Sequence, residues 1–210
     1  MRNQNILAVG CAGYIGSRMV KYLLDAAHRV VTLGSLVSGH RSAGLGGTFI
    51  HADLASRSQL ADLFQTHRFD CVMHFASFIQ AGESVCDPTR YYRHNVANTQ
   101  NLLDAMAEHS IRNLIFSSTA TIFGEPRHTP IDEAHPNEPI NPYGRSKLMV
   151  ENMLADYGLA YGLKSVCLRF SMPRPPRRTP GRTPRPRDAS RSPGFASGIE
   201  AACDHLDFWR

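Results

Sequence analysis

Gly10-Cys11-Ala12-Gly13-Tyr14-Ile15-Gly16 is the stretch that decides the fold. It reads G-x-x-G-x-x-G. An apolar run, Asn5–Val9, precedes it, and a helical pattern opens at Tyr14. Glycines at such a junction permit a tight turn and let the backbone come close to an anion. The helix N-terminus then offers free N–H groups and the positive end of its dipole. Gly10, Gly13 and Gly16, with Tyr14 and Ile15 opening the helix, are therefore candidate contacts to the pyrophosphate of a dinucleotide.

Outward from this loop, short apolar runs alternate with helical stretches. The strand candidates are Asn5–Val9, Arg29–Leu33, Thr48–His51, Cys71–His74, Asn113–Phe116 and Ser165–Leu168. They are continuous rather than alternating in hydrophobicity, as strands buried on both faces of a parallel sheet are. Helices are expected at Tyr14–Ala27, Ser58–Gln65, Pro88–His109 and Pro142–Tyr157. This order predicts an α/β chain: a Rossmann-type doubly wound parallel sheet with right-handed crossovers. Residues 1–170 form the expected dinucleotide-binding domain, and residues 171–210 a tail rich in Arg and Pro that cannot build a packed core.

Charge follows the same division. The tail holds eight arginines and four acids, a net +4 of the chain's +5, so residues 1–170 carry about +1. The basic balance is thus a property of the tail, which lacks lysine and interleaved aromatics, and no nucleic-acid partner is expected. The five cysteines are scattered without a C-x-x-C pair, which suits reduced thiols and a cytoplasmic setting. No apolar run approaches the ~20 residues that span a bilayer, so no membrane partner is expected. No metal-ligand pattern is present.

Two positions qualify the dinucleotide reading. Such folds usually end the second strand on Asp or Glu, which binds the adenosine ribose. Here that end is Gly34. Either NAD binding is weakened, or a 2′-phosphate is tolerated with His40 and Arg41 as partners. Asp53, after the third strand, is a candidate for the adenine amino group; the alternative is a helix N-cap or turn residue.

Tyr143-Gly144-Arg145-Ser146-Lys147 is Y-x-x-x-K, with Asn141 and Pro142 reading as N-cap and first helical residue. Residues four apart share a helix face, so phenol and ammonium are neighbours, and the cation is expected to lower the tyrosine pKa. Such a pair can take or give the proton of a hydroxyl. Phe116-Ser117-Ser118-Thr119-Ala120-Thr121 ends the fifth strand and brings a hydroxyl cluster to the sheet's C-terminal edge, where ligands bind in open α/β sheets. Thr119 is the candidate to assist Tyr143. The alternatives are a surface helix and a serine/threonine turn.

With these three motifs in order, the chain resembles the UDP-glucose 4-epimerases of the extended short-chain dehydrogenase/reductase family. Further segments carry the likeness: His74 to Gln80, Gly82-Glu83-Ser84-Val85, Tyr91-Tyr92 with Asn95-Val96, Ser146 to Glu151, and Leu168-Arg169-Phe170. The resemblance covers residues 4–170. It implies tightly held NAD, a UDP-sugar substrate and a transient 4-keto sugar, with hydride leaving C4 and returning to the other face. It also implies roles: Tyr143 as proton-transfer base, Lys147 on the nicotinamide ribose, Thr119 at the sugar O4. Leu54, Phe75, Ala76, Ser77, Asn95 and Ser117 would be further cofactor contacts. Related 4,6-dehydratases carry an acidic pair where Ala120-Thr121 stand, which argues against dehydration. Family members are commonly homodimers.

After Phe170 the family continues into a sugar-binding domain, whereas this chain reads Ser171-Met172-Pro173-Arg174. Read one base earlier, the Met-Pro codons are compatible with Asn-Ala. The expectation is therefore a frameshift near codon 171, a substrate domain largely missing, and little or no epimerase activity for the chain as written. Other readings remain open: a nucleotide-sugar reductase of the same family, a non-catalytic dinucleotide-binding module, and a nucleic-acid arm in the tail.

Overall fold

Asn5–Val9 alternates in which face it buries: Leu7 and Val9 join one apolar cluster, Ile6 and Ala8 another. A strand with both faces apolar must lie in the middle of a sandwiched sheet, and β1 (Asn5–Val9) does. In a computed structural model of the chain, which describes residues 3–11, 13–35 and 47–171, six strands form one sheet. They are β1, β2 (Arg29–Gly34), β3 (Thr48–His51), β4 (Cys71–His74), β5 (Asn113–Thr119) and β6 (Lys164–Phe170). Their order is β3-β2-β1-β4-β5-β6 and every pairing is parallel. This is the expected doubly wound order, with its topological switch between β1 and β4.

The helices are α1 (Tyr14–Asp25), α2 (Arg57–Thr66), α3 (Ala81–Cys86), α4 (Pro88–Tyr92), α5 (Asn98–Glu108) and α6 (Pro142–Tyr161). A π turn, Arg93–Ala97, joins α4 to α5, and a 3₁₀ turn, Ala120–Phe123, follows β5. One core cluster holds Leu60, Leu63 and Phe64 of α2, Leu102 and Leu103 of α5, and Val150 and Leu154 of α6. Met19, Val20 and Leu23 of α1 pack on the opposite face with Ile6, Met73 and Ile115.

Most strand and helix bounds agree with the sequence reading within a few residues. Three differences stand out. The expected helix Pro88–His109 is interrupted by the π turn. α3 was not foreseen. β5 and β6 run to Thr119 and Phe170, past Phe116 and Leu168, because their pairing continues through Thr119 opposite Phe170. His40, Arg41 and the tail from Met172 onward lie outside the described residues.

Candidate active site

Three strand ends converge at the switch point. The Gly10 N–H donates to the Leu33 carbonyl (2.9 Å), and the Phe75 N–H donates to the Val9 carbonyl (2.8 Å). The glycines of the loop divide by what demands them. Gly10 has φ +81°, and a Cβ there would sit 2.3 Å from the Ala76 nitrogen. A Cβ on Gly16 would meet the Gly10 carbonyl oxygen at 2.8 Å. Close packing of β1, β4 and α1 therefore fixes both. Gly13 is different: among the described residues a Cβ would find only one neighbour within 4 Å, the Gly10 oxygen at 3.6 Å, and Gly13 is exposed. Its side faces open space at the start of α1, where backbone N–H groups can meet an anion. As the N-cap of α1, Gly13 also has no side-chain capping bond. The cradle fits a pyrophosphate.

Gly34 ends β2, and among the described residues a Cβ there would meet only the Phe49 ring, at 3.8 Å. The described residues do not require a glycine here. Asp53 is half-buried, and its Oδ1 accepts from the Ala55 N–H (2.9 Å). It serves as a turn residue, whereas the cap of α2 is Ser56. Leu54 is buried in the core, and Phe75, Ala76 and Ser77 are half-buried in the loop after β4.

Tyr143 and Lys147 lie on the first turns of α6 (8% and 2% exposed). Asn141 caps the helix as expected, accepting from the Gly144 N–H (2.8 Å). Burial raises the Tyr143 pKa, and the nearby Thr119 hydroxyl opposes that rise. The expected effect of the lysine is not among the causes. The Lys147 ammonium donates instead to the Ser117 carbonyl (2.8 Å), 4.7 Å from the centre of the Phe116 ring. Burial pushes its pKa down to about 7, with Cys167 and Glu151 opposing the shift. Thr119 donates to the Thr121 hydroxyl (3.0 Å) and accepts from the Thr121 N–H (3.2 Å). Its hydrogen can rotate toward a phenolate, which it would stabilise.

Buried polar groups support this pair. Asn95, at the π turn, is 2% exposed. Its Oδ1 accepts from the Phe78 N–H, and its Nδ2 donates to the Phe78 carbonyl and to Ser146 Oγ (2.9, 3.0 and 3.1 Å). The amide is fully committed to protein partners, so its bearing on a ligand runs through the loop after β4. Ser146 Oγ in turn donates to the Tyr143 carbonyl (2.7 Å). His74 Nε2 bonds with Thr99 Oγ1 (2.8 Å), which donates to the Asn95 carbonyl (2.8 Å). The imidazole is therefore the Nε2–H tautomer. Burial, and then the Lys147 charge, push its pKa down to about 3. Glu151 accepts from Ser118 and from both Arg169 Nε (3.2 Å) and Nη2 (2.7 Å), tying α6 to β5 and β6. Sequence reasoning assigned no role to Ser146, Glu151 or His74 beyond the likeness, because their partners are distant in the chain.

The chain has known relatives. A family profile described as the NAD dependent epimerase/dehydratase family matches residues 6–198. The chain belongs to that family. It is 46% identical over 165 residues to a UDP-glucose 4-epimerase of Halalkalibacterium halodurans, covering 79% of this chain and 49% of that protein. It is 42% identical over 202 residues to a UDP-glucose 4-epimerase of Azospirillum brasilense, covering 96% and 56%. The crystal structure of UDP-glucose 4-epimerase from Brucella ovis in complex with NAD superposes with a TM-score of 0.77 at 44% identity, over 79% of this chain and 51% of that one. The chain spans about half the length of the curated relatives it matches. The family match and the Azospirillum alignment both extend past Phe170, into the segment whose composition breaks from the rest.

Proposed function

We propose that this chain carries the cofactor-binding and proton-transfer half of a UDP-glucose 4-epimerase, with NAD as cofactor and a UDP-hexose as substrate. The observation that carries this reading is the burial of Tyr143 and Lys147 on the first turns of α6, with the Lys147 ammonium held at the Ser117 carbonyl, at the C-terminal edge of the sheet. The glycine cradle at the switch point of the same edge supports it. NAD, when bound, supplies a hydride acceptor and donor for the sugar C4.

The chain's own residues handle the proton. Tyr143 takes the proton of the sugar 4-hydroxyl and returns it. Thr119 donates to the phenolate while it exists, offsetting the burial that otherwise raises the Tyr143 pKa. Lys147, held at the Ser117 carbonyl in this structure, has three donor hydrogens and can direct another toward a ribose hydroxyl. Gly10, Gly13 and Gly16 bring the backbone to the pyrophosphate, with Tyr14 and Ile15 opening the helix behind it. Asp53, Leu54, Phe75, Ala76, Ser77, Asn95 and Ser117 complete the proposed cofactor surround, Asn95 by fixing Phe78.

The test has two parts. Purified chain should release NAD on denaturation. Whatever slow interconversion of UDP-galactose and UDP-glucose excess chain supports should fall by about 10²–10⁴ in Tyr143→Phe, the usual weight of a general acid–base group. Unchanged interconversion in that variant would overturn the role given to Tyr143.

A further inference from the structure

Gly82-Glu83-Ser84-Val85 is a family-like stretch to which the mechanism above assigns nothing. It forms α3, a six-residue helix with no apolar stripe. Yet Ser84 is fully buried. Its hydroxyl donates to the Ala81 carbonyl (2.6 Å) and accepts from the Tyr143 N–H (3.2 Å), across 59 residues of sequence. Its neighbour Glu83 accepts from Arg90 and from the Tyr91 hydroxyl, which pins α3 to α4.

The Tyr143 N–H needs an outside acceptor. A helix leaves its first N–H groups without intrahelical partners. At the start of α6, Pro142 has none to satisfy, Asn141 takes Gly144, and the Asn141 carbonyl takes Arg145. Tyr143 is left over, and it is buried, where an unmet donor is costly. Ser84 supplies the acceptor. The other end of the same residue is held too: the Tyr143 carbonyl accepts from Ser146 Oγ, which Asn95 fixes from the π turn. Both main-chain polar groups of Tyr143 are thus tied to hydroxyls.

We propose that Ser84 is a positioning residue for Tyr143: it fixes the tyrosine's backbone and, through it, the aim of the phenol. This rests on reading Tyr143 as the proton-transfer group. Ser84 touches neither substrate nor cofactor in this account, and it exerts its effect through the aim of another side chain.

The test uses the full chain labelled with 3-fluorotyrosine, with the Tyr143 fluorine resonance assigned by its disappearance in Tyr143→Phe. In Ser84→Ala the Tyr143 resonance should shift and broaden while the other tyrosine resonances hold. Exchange of the Tyr143 amide should quicken by about tenfold, the factor a single hydrogen bond of ordinary strength commands. Ser84→Thr keeps the γ-oxygen and should restore the resonance. Leu154→Ala destabilises the same helix three turns away and should leave the resonance where it is, which separates aim from general loosening. An unmoved resonance in folded Ser84→Ala, or an equal shift in Leu154→Ala, would overturn the proposal. If Ser84→Ala fails to fold, Ser84→Thr decides: a displaced Tyr143 resonance there, with the other resonances native, sinks the proposal. Failure of the functional reading looks different: protein devoid of NAD, or interconversion indifferent to Tyr143→Phe, with the Ser84 effect on the resonance intact.

Discussion

Gly10 and Gly13 look equivalent in the motif but answer to different demands. At Gly10 a methyl group would strike the Ala76 backbone, in a conformation with φ +81°. Gly10→Ala should cost about 2–4 kcal/mol of stability, from strain and overpacking together, read as a lowered urea midpoint. At Gly13 a methyl group clears the described residues. Gly13→Ala should keep the urea midpoint of the cofactor-free chain and lose the bound dinucleotide. Gly34→Asp is the converse case: the described residues leave room for the side chain, and a carboxylate at the end of β2 can bind the ribose hydroxyls. That variant should hold NAD more tightly and discriminate more strongly against NADP in equilibrium titrations. Lys147 adds a pH signature. Its folded pKa of about 7 lies below the ordinary lysine value of 10.5. Between these values the unfolded chain binds the extra proton, so this residue's contribution to stability grows as pH rises. The buried thiols of Cys11 and Cys167, raised to about 12 from 9, work the other way only above about pH 9. Urea midpoints should therefore climb from pH 7 to 9 in the parent chain, and that climb should be absent in Lys147→Met.

Elements were legible in the sequence to the extent that their signals were local. Strands buried on both faces announce themselves as continuous apolar runs, and the cap at Asn141 followed from chemistry within four residues. The glycine loop and Y-x-x-x-K likewise marked the site. α3 was missed because six residues with a single buried position show no period. The π turn was missed because its register shift leaves the composition helical; its consequence, Asn95 reaching both Phe78 and Ser146, depends on residues 17 and 51 positions away. The direction of Lys147 was misjudged for the same reason, since the carbonyl that draws it belongs to β5. Glu151 belongs to this distant class and makes a test of it. Its removal leaves Arg169 and Ser118 without their partner. Arg169 is partly exposed (28%), so Glu151→Ala should cost about 2–3 kcal/mol, below the ~3–5 kcal/mol of a fully buried pair.

At the scale of the whole molecule, the two faces of the sheet are unequally covered. Among the described residues α2, α5 and α6 pack on one face and α1 on the other. β6 stands at the edge of the described sheet, and none of its residues is fully buried. Leu168 on β6 should therefore be forgiving: Leu168→Ala is expected to cost about 1 kcal/mol, against about 2–5 kcal/mol for Leu114→Ala, at a fully buried position of the neighbouring β5. The most direct test of the account is the cofactor content of the chain. Purified protein is denatured, and the supernatant assayed for NAD(H) and NADP(H). The account predicts close to one NAD per chain, retained in Tyr143→Phe and lost in Gly13→Ala. Folded protein that carries no dinucleotide and binds none on titration would contradict it.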